Sequence, residues 1–292
     1  MSPHRAERIE VTGVVQGVGF RPFVHRLATE LGLTGPVGND SSRVFNEVSG
    51  PGDRRDAFVA RLSTDAPPLA RIESVTRSDA VTEAATGFQI IESEELAGER
   101  TPVPPDAALC GDCRAELLDP DDRRFGHPFI TCTNCGPRFT IITSVPYDRP
   151  NTTMSGFEMC ARCSEEYADP LDRRHHAQPI ACNECGPALW FTDSSGDRLD
   201  SIDPIGACVD ALDAASVVAI KGLGGYHLAC DAASDAAVGI MRERKRRPDK
   251  PFAIMVHDLE EARRLAHVDD IEARLLTSSA APIVLLAARE HT

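Results

Sequence analysis

Lysine is nearly missing from this chain: of its 31 Lys and Arg side chains only three, Lys221, Lys245 and Lys250, are lysines. Positive charge as a whole is also scarce, because 45 acidic residues give a formal net charge of −14. A surface this acidic lacks the basic face that phosphate-backbone contacts need, which argues against nucleic acid as a partner. No apolar run reaches the roughly 18 residues of a membrane-crossing helix, so no membrane partner is expected. The opening stretch MSPHRAERIEV is polar and charged. It holds nothing that would act as a signal peptide, and the expected location is cytoplasmic. What the chain does have is 292 residues, 42% of them hydrophobic, enough for a well-buried core and for two or three domains.

Two stretches rich in charge, proline or small polar residues, 93–109 and 192–204, read as linkers. They divide the chain into segments 1–92, 105–191 and 204–292. In the first, RIEVTGVV alternates like a strand, and PFVHRLATEL reads as a helix with Pro22 in its first turn and Gly32 past its end. Two short strands (GPVGN, RVFNEVSG), an amphipathic helix (DRRDAFVARL) and at least one more strand follow. Strand, helix, strand, strand, helix, strand is the βαββαβ order of an α+β, ferredoxin-like fold. The third segment alternates strand-like runs (SVVAIKGL, FAIMV, PIVLLAA) with helix-like ones (AAVGIMRERKR, DLEEARRLA), an α/β pattern. Its last apolar run lies only a few residues before Thr292, so this domain is expected to be truncated.

The middle segment is an internal repeat. CGDCRAELLDPDDRR at 110–124 matches CARCSEEYADPLDRR at 160–174, and CTNCGP at 132–137 matches CNECGP at 182–187, always at an offset of 50 residues. Cys110, Cys113, Cys132 and Cys135 form C-x2-C-x18-C-x2-C, and Cys160, Cys163, Cys182 and Cys185 repeat that spacing. Each C-x2-C offers two thiolates to one ion, and two of them close a four-sulfur tetrahedron with no open position, so two structural zinc ions are expected. Redox or disulfide pairs are the competing reading. His127, His175 and His176 lie in the x18 loops as loop residues, with replacement of a cysteine left open. Cys208 and Cys230 fall outside the pattern and read as buried thiols. Residues 110–190 carry 8 arginines, no lysine and 12 acids, which argues against a DNA-binding finger.

The stretch VVQGVGFRPF, 14–23, puts two glycines between a strand and a helix and follows them with Arg21. Glycines there let successive N–H groups turn toward one point, where the helix adds its positive end and an arginine can grip the same anion by two hydrogen bonds. A tight turn with an exposed arginine is the plainer alternative. All three lysines fall in KGLGGYHLACDA and RERKRRPDKPFAIM. In a chain that otherwise uses arginine, a retained lysine marks a place where a compact ammonium is needed, and phosphate binding is such a place.

GVVQGVGFR resembles the acylphosphatase signature. The resemblance implies a phosphate-binding loop of Gln16, Gly17, Val18, Gly19 and Phe20, with Arg21 holding the phosphate and Asn39, in GPVGN, positioning the attacking water. His25, on the helix, is expected to be a packing or surface residue. The two lysine-bearing stretches resemble the YrdC-like domain, which implies nucleotide contacts from Lys245, Arg247 and Tyr226, joined by Lys221 and Lys250. The whole order, with CTNCGPRFTII, PYDRPNTTM and HAQPIACNECGP, is similar to the HypF family, the carbamoyltransferases of nickel–iron hydrogenase maturation. That likeness implies hydrolysis of carbamoyl phosphate in the first domain and activation of carbamate by ATP with Mg in the third. A further domain would then pass the carbamoyl group to a cysteine-bearing hydrogenase maturation partner, on the way to the cyanide ligand. The chain is expected to be an N-terminal piece that retains acylphosphatase activity. A stand-alone acylphosphatase with a zinc-dependent protein-binding module and a threonylcarbamoyl-adenylate synthase-like tRNA modification protein are the alternatives.

Overall fold

Alternation in AERIEVTGV sends Ile9 and Val11 to one face, where both are fully buried, and makes β1 (Ala6–Val14) an inner strand of a sheet. The computed structural model describes residues 6–40, 42–80, 86–91, 103–145, 147–199 and 203–289. They fall in two compact units, Met1–Pro187 and Ala188–Thr292.

In the first unit, β1 runs through a glycine-rich loop into α1 (Phe20–Glu30), followed by β2 (Gly35–Asn39), β3 (Val44–Ser49), α2 (Gly52–Thr64), β4 (Arg71–Ala80) and β5 (Phe88–Ile90). The sheet order is β4-β1-β3-β2-β5. β1 is antiparallel to both β3 and β4, and β2 is antiparallel to β3. This is the expected ferredoxin-like order, with the three-residue β5 added in parallel at the β2 edge. Phe20, Val24 and Leu27 of α1 and Phe58 and Leu62 of α2 pack on Ile9, Val11, Val37, Val44 and Val48 of the sheet. Each such buried side chain contributes roughly 1.5–3 kcal/mol of transfer free energy, which fixes the position of α1 and hence of the loop before it.

The same unit holds both cysteine modules. α3 (Gly111–Leu118) and α4 (Ala161–Ala168) each begin right after a cysteine, Cys110 and Cys160, at the N-cap. Of the expected linker 93–109, residues 93–102 lie outside the described residues. Ala107 exchanges backbone hydrogen bonds with Gly136, so that end of the stretch is part of the first module. In the stretch 192–204, Thr192 pairs with Arg198 across a small turn, and residues 200–202 lie outside the described residues.

The second unit contains α5 (Pro204–Asp213), the hairpin β6 (Val218–Lys221) and β7 (Tyr226–Ala229), α6 (Asp235–Lys245), α7 (Leu259–Leu265), β8 (Ala266–His267), α8 (Asp270–Leu276) and β9 (Ala287–Ala288). Two expectations fail here. FAIMV forms no regular element and leaves Met255 98% exposed. Of PIVLLAA only Ala287 and Ala288 pair, with β8, while Ile283 and Leu285 stay exposed. A strand needs a ladder partner for its N–H and C=O groups, and the described residues offer these runs none. Cys208 and Cys230, expected to be buried, are half-buried free thiols. Among the described residues no helix is long and apolar enough to cross a membrane.

Candidate functional site

The eight repeat cysteines converge in two groups of four, Cys110, Cys113, Cys132 and Cys135 and then Cys160, Cys163, Cys182 and Cys185. The sulfurs are spaced 3.7 Å for Cys110–Cys132, 3.8 Å for Cys132–Cys135, 3.7 Å for Cys160–Cys182 and 3.6 Å for Cys163–Cys185. A tetrahedron with Zn–S bonds of about 2.3 Å has edges of roughly 3.8 Å. Donor type, number and spacing therefore all fit zinc. The three x18 histidines lie elsewhere: the Nδ1 of His127 is 2.9 Å from the Asn183 amide oxygen, and His175 and His176 pack ring to ring.

The repeat also explains how the modules hold each other. Arg123 and Arg124, in the first x18 loop, reach the second module, where Arg123 donates to the Cys163 thiolate at 3.2 Å and both pair with Glu166. Arg173 and Arg174, in the second loop, do the reverse, with Arg173 on the Cys113 thiolate at 3.2 Å and both on Glu116. The buried guanidinium Nε groups complete the exchange: Arg124 donates to the Ala181 carbonyl at 2.9 Å and Arg174 to the Thr131 carbonyl at 3.0 Å. Burial pushes the Glu116 carboxyl up, but Arg174 and Arg173 outweigh it and hold the group down at about 2. Each four-sulfur site thus takes its neutralising charge from the other module.

The glycine-rich loop lies against these modules. Gly17 (φ 66°) and Gly19 (φ 73°) are both left-handed, and Gly19 is the N-cap of α1. Crowding adds to the conformational reason for glycine. A Cβ on Gly17 would lie 2.8 Å from the Tyr147 ring, and one on Gly19 would lie 2.9 Å from Thr133 Cβ. The Arg138 Nε donates to the Gly17 carbonyl at 3.1 Å, while the rest of its buried guanidinium binds the carbonyls of Cys132, Thr133, Cys135 and Gly136. Arg21, in the first turn of α1, extends back and donates from Nη2 to the Asp148 carboxylate at 3.1 Å. The result is a cleft of about 30 Å³ between Gln16, Gly17, Gly19 and Arg21 on one side and Arg138, Tyr147 and His176 on the other. Burial holds His176 down at about 4, and the Arg21 charge pushes it the same way, so the ring is neutral at pH 7.

The structure therefore brings Gln16, Gly17, Gly19, Phe20 and Arg21 to one cleft. Val18 points into the core instead. Asn39 is buried at the end of β2 and does not line the cleft, but Gln16 Nε2 donates to the carbonyl of its neighbour Asp40 at 2.8 Å. His25 is half-buried, with its ring edge-on to Phe88 and His175. In the second unit Lys221 faces Tyr226 across the hairpin, its Nζ 5.0 Å from the ring. Lys245 ends α6, Arg247 donates to the Pro251 carbonyl, and the Lys250 carbonyl accepts from Arg242. Sequence reasoning missed Arg138, Tyr147 and Asp148, which nothing in the sequence links to the loop. It also missed the interlocking arginines, whose signal was the doubled DRR at the 50-residue offset.

Comparisons with known proteins follow the same order along the chain. The acylphosphatase profile matches residues 7–90, the HypF finger profile residues 109–142 and 159–192, and the profile described as telomere recombination residues 210–292. Carbamoyltransferase HypF of Rhizobium leguminosarum bv. viciae is 52% identical over 291 residues, 99% of this chain and 36% of that protein. An acylphosphatase of Caldivirga maquilingensis is 50% identical over 70 residues, 23% of this chain and 73% of that protein. A crystal structure of full-length HypF in the phosphate- and nucleotide-bound form superposes with a TM-score of 0.92 at 44% identity, covering 99% of this chain and 38% of that one. The chain thus spans little more than a third of the length of the HypF relatives.

Proposed function

The chain belongs to the HypF family, and on that premise we propose that its loop 16–21 is an acyl-phosphate cradle that hydrolyses carbamoyl phosphate to carbamate and phosphate. The observation that carries this reading is the pair of left-handed glycines before α1 together with Arg21, whose guanidinium returns to the same cleft. The loop N–H groups and the positive end of α1 receive the phosphate, and Arg21 stabilises the charge that shifts onto it as the acyl bond breaks. Asn39 does not itself line the cleft; the water-orienting role proposed for it rests on the acylphosphatase resemblance and on its place next to Asp40, whose carbonyl holds Gln16 of the loop. An acyl phosphate is already activated, so positioning and charge stabilisation suffice.

In the whole enzyme the carbamate would next be activated by ATP with Mg in the YrdC-like unit, with phosphate contacts from Lys221, Lys245, Arg247 and Lys250 near Tyr226. The carbamoyl group would then pass to a cysteine of a maturation partner. Support comes from the profile match over 210–292 and from the nucleotide-bound state of the HypF relative. The eight cysteines hold two structural zinc ions, coordinatively closed and outside the chemistry. Turnover of carbamoyl phosphate by the whole chain, read as phosphate release, tests the cradle. Removing one preorganised donor costs about 10²–10³ in rate, so Arg21→Ala should fall by that much, whereas activity within about threefold of the unchanged chain would refute the reading. Asn39→Ala should lower kcat more than it weakens phosphate binding.

A further inference from the structure

The cysteine repeat breaks at one place beside the loop. At the offset of 50 residues, CTNCGPR of the first module stands against CNECGPA of the second, so Arg138 matches Ala188. Both sets of four sulfurs nonetheless converge. The four-sulfur arrangement therefore forms without an arginine at this position, and Arg138 has a task that the second module does not share.

Its contacts define that task. Arg138 is buried, and all five of its N–H donors are spent on carbonyls. Nη1 and Nη2 bind the carbonyls of Cys132, Thr133, Cys135 and Gly136, so the cysteine knuckle holds the fork still. Nε goes to the Gly17 carbonyl, at 3.1 Å. The fork keeps no donor for a substrate, and whatever it does for the reaction it does through the loop.

The loop needs such an anchor. Gly17 and Gly19 leave its backbone many accessible shapes, and its own amides do not fix it. Among the described residues, the N–H groups of Gly17, Gly19 and Phe20, which line the cleft, donate to no protein acceptor. At one end of the loop Gln16 Nε2 donates to the Asp40 carbonyl at 2.8 Å, and at the other the Gly19 carbonyl accepts from the Phe23 N–H at 3.1 Å. Between them, Arg138 is the one side chain among the described residues that hydrogen-bonds to residues 17–20. Donors stabilise a shifting charge only if they are already in place when it develops.

We propose that Arg138 is a positioning residue for the reaction: it ties the glycine-rich loop to the Cys132–Cys135 knuckle and so holds the loop N–H groups in the shape that takes the phosphate. The proposal rests on the cradle reading given above.

The test measures, on the whole chain, the Kd of inorganic phosphate by calorimetry and kcat/KM for carbamoyl phosphate, with zinc content as the check on folding. Misplacing bound groups by about 1 Å costs up to about 100-fold, so Arg138→Met should weaken phosphate binding and lower kcat/KM by about 10- to 100-fold with zinc retained. Arg138→Lys should do nearly the same, because an ammonium keeps the charge but cannot span loop and knuckle. Arg55→Met is the control: this buried arginine of α2 pairs with Glu7 of β1 and does not line the cleft. It should lower the urea midpoint and leave phosphate affinity unchanged. Unchanged affinity in Arg138→Met with zinc retained overturns the proposal, as does full recovery in Arg138→Lys or an equal loss in Arg55→Met. Should the Arg138 variants lose zinc, the unchanged chain decides. Its Arg138 Nε–H signal should shift when phosphate is added, because the loop it holds closes on the anion, and a signal that stays put overturns the proposal. Arg21→Ala separates the two levels. If it abolishes phosphate binding while Arg138→Met does not weaken it, the cradle stands and the positioning role falls. If Arg21→Ala binds phosphate as the unchanged chain does, the cradle itself is wrong.

Discussion

Gly17 and Gly126 have nearly the same backbone, φ 66° and φ 64°, but different surroundings: a Cβ on Gly126 would meet nothing within 4 Å, whereas one on Gly17 would press on Tyr147 and Pro104. An alanine at either site bears the left-handed penalty of about 1–2 kcal/mol. The difference between the two variants therefore isolates the crowding that the cysteine modules impose on the loop. Gly17→Ala should lower the urea midpoint of the first unit clearly more than Gly126→Ala. Equal midpoints would show that the loop and Tyr147 are not in contact. A glycine needed for a turn was legible in VVQGVGFR. The second reason for it was not, because the partner ring is 130 residues away in the sequence.

At the level of elements, the cysteine modules behave as an interlocked pair. Each sends two arginines to the thiolates and the glutamate of the other. Loss of such an outer partner typically lowers metal affinity by 10–100-fold. Arg124→Met should thus speed chelator-driven zinc loss mainly from the Cys160 set, and Arg174→Met mainly from the Cys110 set. Alkylation of the freed thiols, mapped by mass spectrometry, assigns each loss. Zinc leaving the module that carries the substitution would contradict the exchange. Here the sequence told much. The C-x2-C spacing named the ligands, and the period of two in RIEVTGVV named β1. It misled in FAIMV and PIVLLAA, where apolar β-branched residues signal a strand but, among the described residues, only Ala287 and Ala288 find ladder partners. Local pattern reports which residues suit a ladder, not whether a ladder is there.

Across the first unit as a whole, the order of parts was readable but their contact was not. Residues 1–92 read as self-contained, with a βαββαβ order and a loop complete in itself. In the folded chain the loop shares its cleft with Arg138, Tyr147 and His176, from the cysteine modules and the segment between them, and Arg21 pairs with Asp148 of that same segment. No periodicity or spacing joins Arg21 to Asp148, because ion pairs between distant segments leave no local signature. The account makes zinc, though outside the chemistry, a determinant of activity, since the ions hold in place the modules that supply Arg138 and His176 to the cleft. The most direct test is kcat/KM for carbamoyl phosphate, measured on the zinc-loaded chain and again after a chelator has removed both ions, with metal content determined in the same samples. The account predicts that the stripped chain loses at least about tenfold in kcat/KM, because the loop is no longer held in position against Arg138 and Tyr147. An unchanged kcat/KM with both ions gone would mean that the ferredoxin-like domain holds the whole site by itself.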